Sequence, residues 1–106
     1  MTEAEKRALG TKIIEIIKTI FDPEIPVDIY ELGLIYDVFV NDQKGAKIIM
    51  TLTTPNCPVA ETLPRDVEEK VKSLDEVDSC EVEITFDPAW NHSMMSDEAK
   101  LELGFL

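Results

Sequence analysis

The chain has 106 residues, of which 22 are acidic and 10 basic, giving a net charge of −12 at neutral pH. A chain of this length buries roughly 65% of its unfolded surface in a single core without disulfides or metal as staples, so one domain over residues 1–106 is expected. No Lys/Arg cluster could neutralise a run of phosphates, which makes nucleic acid and anionic membrane poor partners, and neither is expected. No apolar run approaches about 18 residues, and Met1 to Gly10 is polar and charged, so the expected location is the cytoplasm. There, two cysteines do not suggest a disulfide framework, because cytosolic thiols are normally kept reduced.

Thr2 followed by Glu5 forms a capping box, and Leu9, Ile13, Ile16, Ile17 and Ile20 then recur at helical spacing. This amphipathic helix must end near Phe21, since Pro23 disfavours helical backbone at Asp22. In the loop Asp22-Pro23-Glu24-Ile25-Pro26-Val27-Asp28, two prolines stiffen the chain around two closely spaced carboxylates. Asp28 to Leu32 can make one capped turn, with Gly33 closing it in the left-handed region.

From Leu34 the apolar period changes to two. Leu34, Tyr36, Val38 and Val40 share one face of a strand, and Ile35, Asp37, Phe39 and Asn41 the other. Asn41-Asp42-Gln43-Lys44-Gly45 reads as a hairpin turn. In the second strand Ala46, Ile48, Met50 and Leu52 alternate with Lys47, Ile49, Thr51 and Thr53.

That strand leads into Thr53-Thr54-Pro55-Asn56-Cys57-Pro58. Proline favours the first position of a helix, which makes Cys57 the expected N-cap. A thiol there faces unpaired backbone N–H groups and the positive end of the helix dipole, both of which favour thiolate. Spacing alone leaves two readings open, a reactive thiol and a small half-buried cap. Val59, Leu63, Val67, Val71 and Leu74 continue at helical spacing, although Pro64 implies a kink or a short prelude before the main helix.

Asp78 to Phe86 reads as a third strand with Cys80, Val82, Ile84 and Phe86 facing inward, which makes Cys80 a core residue. Trp90, Met94 and Met95 are expected to fold back on the domain, with an adaptable partner surface as the alternative use. His92, the only histidine, is expected on the solvated surface. Ser96 caps a short last helix and Gly104 follows it.

The order is helix, strand, strand, helix, strand, short helix. A right-handed crossover makes strands two and three parallel, while the hairpin makes one and two antiparallel. The expected fold is α+β, with two layers in which both long helices cover one face of a three-stranded mixed sheet. Phe39 and Ile49 would lie on the other face, compatible with a dimer or a client surface.

Several thiol chemistries can be weighed from spacing. A thioredoxin-like pair needs a second cysteine where Ala60 stands. A cysteine phosphatase needs an arginine where Leu63 stands, and a papain-like site needs a histidine placed against Cys57. Catalysis is therefore not expected. Metal binding remains, but iron–sulfur clusters are usually held by about four thiolates, so Cys57 would need a second chain, Asp22 or Glu24, a small thiol or a client to complete the set.

Together, Asp22 to Ile29, Glu31 to Tyr36 and Thr53 to Pro58 resemble the SufT and PaaD-like family of iron–sulfur assembly proteins, in its stand-alone SufT form. The similarity extends through Trp90, Met94-Met95-Ser96 and Glu102-Leu103-Gly104. The resemblance implies a fold like the C-terminal domain of NifU, and maturation of iron–sulfur proteins by carrying clusters or by helping carriers reach apo-clients. It also implies scaffold or carrier proteins and apo-clients as partners, and a transient cluster as cargo. No Gly-rich phosphate loop is present, so no nucleotide is expected. The functional loop positions that the resemblance marks are Asp22, Glu24, Thr53, Thr54 and Cys57, with Cys57 as the metal ligand. An adaptor that binds protein without ligating metal stays open beside the carrier. Asp22 and Glu24 are expected within about 12 Å of the sulfur, close to a Debye length at moderate salt.

Overall fold

The computed structural model describes residues 2–21, 27–52 and 63–104, apart from the side chain of His92. The first helix, α1, runs Glu3–Ile17. The capping box is present: Glu5 N–H donates to Thr2 Oγ1 at 3.1 Å, and Thr2 N–H donates to Glu5 Oε1 at 3.2 Å. Leu9, Ile13 and Ile17 line its buried face, and Ile20 extends the stripe past its end.

Strands β1 (Ile35–Val40) and β2 (Gly45–Met50) form the antiparallel hairpin. Its turn is held by the Asn41 side chain, whose Oδ1 accepts from the N–H groups of Gln43 at 2.9 Å and Gly45 at 2.8 Å. Lys44 takes the positive φ, at 61°. Gly45 is needed for space instead, because a Cβ there would lie 2.7 Å from Asn41 Nδ2 and 2.9 Å from Ser79 Oγ.

Helix α2 (Leu63–Lys72) buries Leu63, Val67 and Val71. Pro64 falls in the first turn of α2 as described, where a missing N–H loses no bond within those residues, and the kink or prelude expected before it lies outside the described residues. Strand β3 (Ser79–Ile84) pairs parallel to β2, giving the order β1-β2-β3. The two helices touch each other, α1 also packs on β1 and α2 on β3, so both lie on one sheet face as expected. The core between the layers is built from Ile13, Ile17, Ile48, Met50, Val67 and Val71 with their neighbours.

Three side chains depart from strict alternation. The register shifts between Ile35 and Asp37, a β-bulge that places Ile35 opposite Met50 on the core face rather than with Asp37 and Phe39. Thr51, expected to face outward, is fully buried just beyond the end of β2, where the chain is enclosed on both sides. Phe86 lies past the end of β3 and is exposed. Phe39 is exposed on the open sheet face, as its alternation implied.

The chain after β3 folds back across the domain. Met95 and Ala99 are buried and Trp90 packs against the core. A 3₁₀ turn at His92–Met94 leads to α3 (Asp97–Glu102), where Ser96 Oγ accepts from Ala99 N–H at 3.1 Å as the N-cap. Gly104 follows with φ 82°. No helix among the described residues is long and apolar enough to cross a membrane.

Candidate functional site

Asp22, Glu24, Thr53, Thr54 and Cys57 all lie outside the described residues, as does the expected N-cap at Cys57. The structure does fix the frame from which their two segments, 22–26 and 53–62, leave and to which they return.

The base of the first segment is pinned by an antiparallel bridge between Phe21 and Asp28 and by a hydrogen bond from Ile29 N–H to Ile20 O at 2.9 Å. Beyond it the predicted capped turn is present. The Asp28 carboxylate accepts from Glu31 N–H at 3.0 Å, Leu32 N–H donates to Asp28 O at 3.1 Å, and Gly33 closes the turn at φ 82°. Lys18, the C-cap of α1, holds the same turn, its Nζ 3.7 Å from the Glu31 carboxylate and 5.1 Å from the centre of the Tyr30 ring. The second segment leaves after Leu52 and returns at Leu63, both buried, and Thr51 N–H donates to Leu34 O at 2.8 Å just before it departs.

These two frames meet at Phe21. Ile20 and Phe21 line a groove with Asp66, Glu69 and Lys70 of α2 and Ser73 just past its end, and Asp66 lies within one turn of Leu63. On its other side Phe21 lines a second groove with Val27, Asp28, Glu31, Glu98 and Glu102. The departure point of one segment therefore sits beside the return point of the other. Six carboxylates against Lys18 and Lys70 make this neighbourhood negative, which favours cations and opposes a bare thiolate.

The other cysteine lies away from this frame. Cys80 pairs with Ala46 across the parallel strands, near the hairpin. It is a free thiol, buried as expected, and its pKa is pushed up to about 11, chiefly by burial and secondarily by the charge of Glu68. Among the described residues no group of three or more His, Cys, Asp and Glu side chains could hold a metal ion.

What sequence reasoning missed is the set of residues that anchor the frame over long distances. Tyr36 OH donates to Pro88 O at 2.7 Å, and Trp90 Nε1 donates to Leu32 O at 2.8 Å. Neither pairing has a local signal. Gly33 carried a partial one, since a turn-closing glycine was expected there.

A two-layer domain with two helices on one face of a three-stranded mixed sheet is a class with known members. Residues 11–84 match the family described as "Iron-sulfur cluster assembly protein", and the chain belongs to that family. It is 50% identical over 94 residues to an "Fe-S protein maturation auxiliary factor" of Porphyromonas gingivalis, covering 89% of this chain and 90% of that one. It is 38% identical over 85 residues to the "Fe-S protein maturation auxiliary factor SufT" of Staphylococcus aureus, covering 80% and 97% respectively, so the resemblance read from the sequence holds. The fold agrees with the crystal structure of a domain of unknown function, DUF59, from Bacillus anthracis, at TM-score 0.93 and 34% identity over 99% of this chain and 100% of that one.

Proposed function

We propose that this chain is an iron–sulfur protein maturation factor that carries clusters, or helps to transfer them, to apo-proteins through Cys57. The similarity to maturation factors over nearly the whole chain supports the process. The observation that carries the residue assignment is the state of Cys80. Of two cysteines, one is buried on a strand with its pKa raised to about 11, which leaves Cys57 as the thiol for metal or partner. Asp22, Glu24, Thr53 and Thr54 are the polar side chains of the same two segments, and the meeting of their ends around Phe21 supports a shared role. The cluster is cargo, the partners are scaffold or carrier proteins and apo-clients, and the compartment is the cytoplasm.

Anaerobic reconstitution with iron and sulfide, followed by visible absorption spectra of wild type and Cys57→Ser, tests this reading. The expected result is a charge-transfer spectrum in wild type that is lost in the variant. A cluster of equal yield in both would exclude Cys57 as a ligand. No cluster in either, with client maturation still impaired by Cys57→Ser, would assign the adaptor role instead.

One thiolate falls short of the usual set of about four ligands, so a cluster held by this protein alone should bridge two Cys57 side chains of a dimer. Solution mass before and after reconstitution is expected to double. A stable cluster on a monomer without a small-thiol ligand would refute the bridge.

A further inference from the structure

The family match ends at residue 84, yet the chain beyond it is attached at several points to one short stretch of the domain. Thr85 N–H donates to Met50 O at 2.9 Å on the β3 side of the sheet. The next anchors lie on the far side of β2, where Pro88 O accepts from Tyr36 OH, Trp90 Nε1 donates to Leu32 O, and Ser96 N–H donates to Glu31 O at 2.8 Å. Met94 presses its backbone on Gly33 so closely that a Cβ there would stand 2.3 Å from Met94 O.

The carbonyls of Glu31 and Leu32 belong to the last residues of the turn that begins at Asp28. A single turn leaves such carbonyls without partners of its own, and here the returning chain supplies the donors. The same turn carries Asp28, whose bridge to Phe21 forms the base of the 22–26 segment. Pull on the returning chain thus reaches the base of that segment through one turn, without passing through the sheet.

We propose that residues 87–104 act as a positioning strap: by completing the turn at 28–33 they hold the base of the 22–26 segment in place, and loosening them loosens that base while the three-stranded core stays folded. Units of this kind open locally at free energies below that of global unfolding. The strap itself is inferred from the described contacts alone; only its effect on cluster transfer rests on the proposed function.

Trp90 is the only tryptophan, so its fluorescence reports on the strap, and hydrogen exchange of the full chain reports on the turn. Trp90→Phe removes the indole donor and keeps an aromatic ring, and Tyr36→Phe removes the hydroxyl donor and keeps Trp90. In either variant the amides of residues 29–34 should exchange about fivefold to tenfold faster, the factor that corresponds to losing one hydrogen bond of ordinary net strength, while β2 amides keep their wild-type rates. In Tyr36→Phe, Trp90 should also become more accessible to acrylamide. Cluster transfer to an apo-client should slow in both variants, whereas Cys57→Ser should abolish transfer and leave exchange at 29–34 unchanged. Exchange at 29–34 that is unchanged, or that moves only in step with β2, would overturn the strap; faster exchange there with transfer at the wild-type rate would uphold the strap and overturn its effect on transfer. If Trp90→Phe fails to fold, Tyr36→Phe alone decides between these outcomes.

Discussion

The two ends of the sheet are closed in different ways. At the hairpin end the turn is held by its own residues, Asn41 bonding the backbone of Gln43 and Gly45, and two contacts from further away are added to it: Lys44 O accepts from Asp78 N–H at 2.9 Å, and Lys6 of α1 reaches Asp42 at 2.7 Å. At the opposite end, where β2 hands the chain to the 53–62 segment, two of the anchoring hydrogen bonds join residues 52 and 58 positions apart. A turn that its own side chain already holds can form with the hairpin itself. An end closed from a distance forms only when the last part of the chain docks, and that is the end bearing the candidate site, in keeping with functional loops set on a rigid scaffold.

The glycines at the two ends give the sharpest way to break this comparison. Gly33→Ala places a side chain at φ 82° and against the backbone oxygen of Met94, which cannot rotate aside. Strain and overlap together should lower stability by about 3 kcal/mol or more. Gly45→Ala also crowds its neighbours, but those are the side-chain tips of Asn41 and Ser79. They can yield at the expense of the Asn41 turn bonds, so about 1–2 kcal/mol is expected. Urea midpoints at unchanged slope measure both. If Gly45→Ala proves the more damaging, the hairpin end is the less tolerant one and the contrast fails.

How much of this was readable from the sequence follows the same division. The capping box at Thr2 and Glu5, the apolar stripe of α1, the alternation of the strands and the turn at Asn41 are written in residues a few positions apart, and each formed as expected. The crossover rule then gave the sheet order and the single helical layer. The bulge at the start of β1 was hidden because its cause is pairing with β2, not a local residue pattern, and it carried Ile35 to the core face. Burial of Thr51 was hidden for a related reason, since it depends on what encloses the end of the sheet. The motifs around Asp22 and Cys57 were legible as a family resemblance, while the donors that Trp90 and Ser96 bring to the Asp28 turn come from the far end of the chain and leave no periodic trace.

Of the two cysteines, Cys80 lies at the hairpin end and Cys57 belongs to the 53–62 segment, outside the described residues, and the smallest expected effect tests the division of roles between them. Cys80 sits beside the hairpin, opposite Ala46, with its pKa raised from 9.0 to about 11. At neutral pH it is a thiol, so alkylation of the native protein should modify Cys57 first and reach Cys80 only on unfolding. Preferential labelling of Cys80 would assign the reactive thiol to the wrong end. Burial of the neutral thiol has a consequence at alkaline pH as well. In the unfolded chain the thiol ionises near its ordinary value, while in the folded chain it stays protonated for longer. Its contribution is therefore intact below pH 9 and falls as pH rises towards 11. Lys6 and Lys12, whose pKa values are raised by hydrogen bonds to Asp42 and Glu76, also lose their ion pairs as pH rises, but they do so equally in a Cys80→Ala variant. The stability difference between wild type and Cys80→Ala, about 1 kcal/mol at neutral pH for a small buried side chain, should thus shrink between pH 9 and 11. A difference that holds constant across that window would mean the thiol ionises alike in both states, and Cys80 would then be as open to solvent as a thiol at the other end of the sheet.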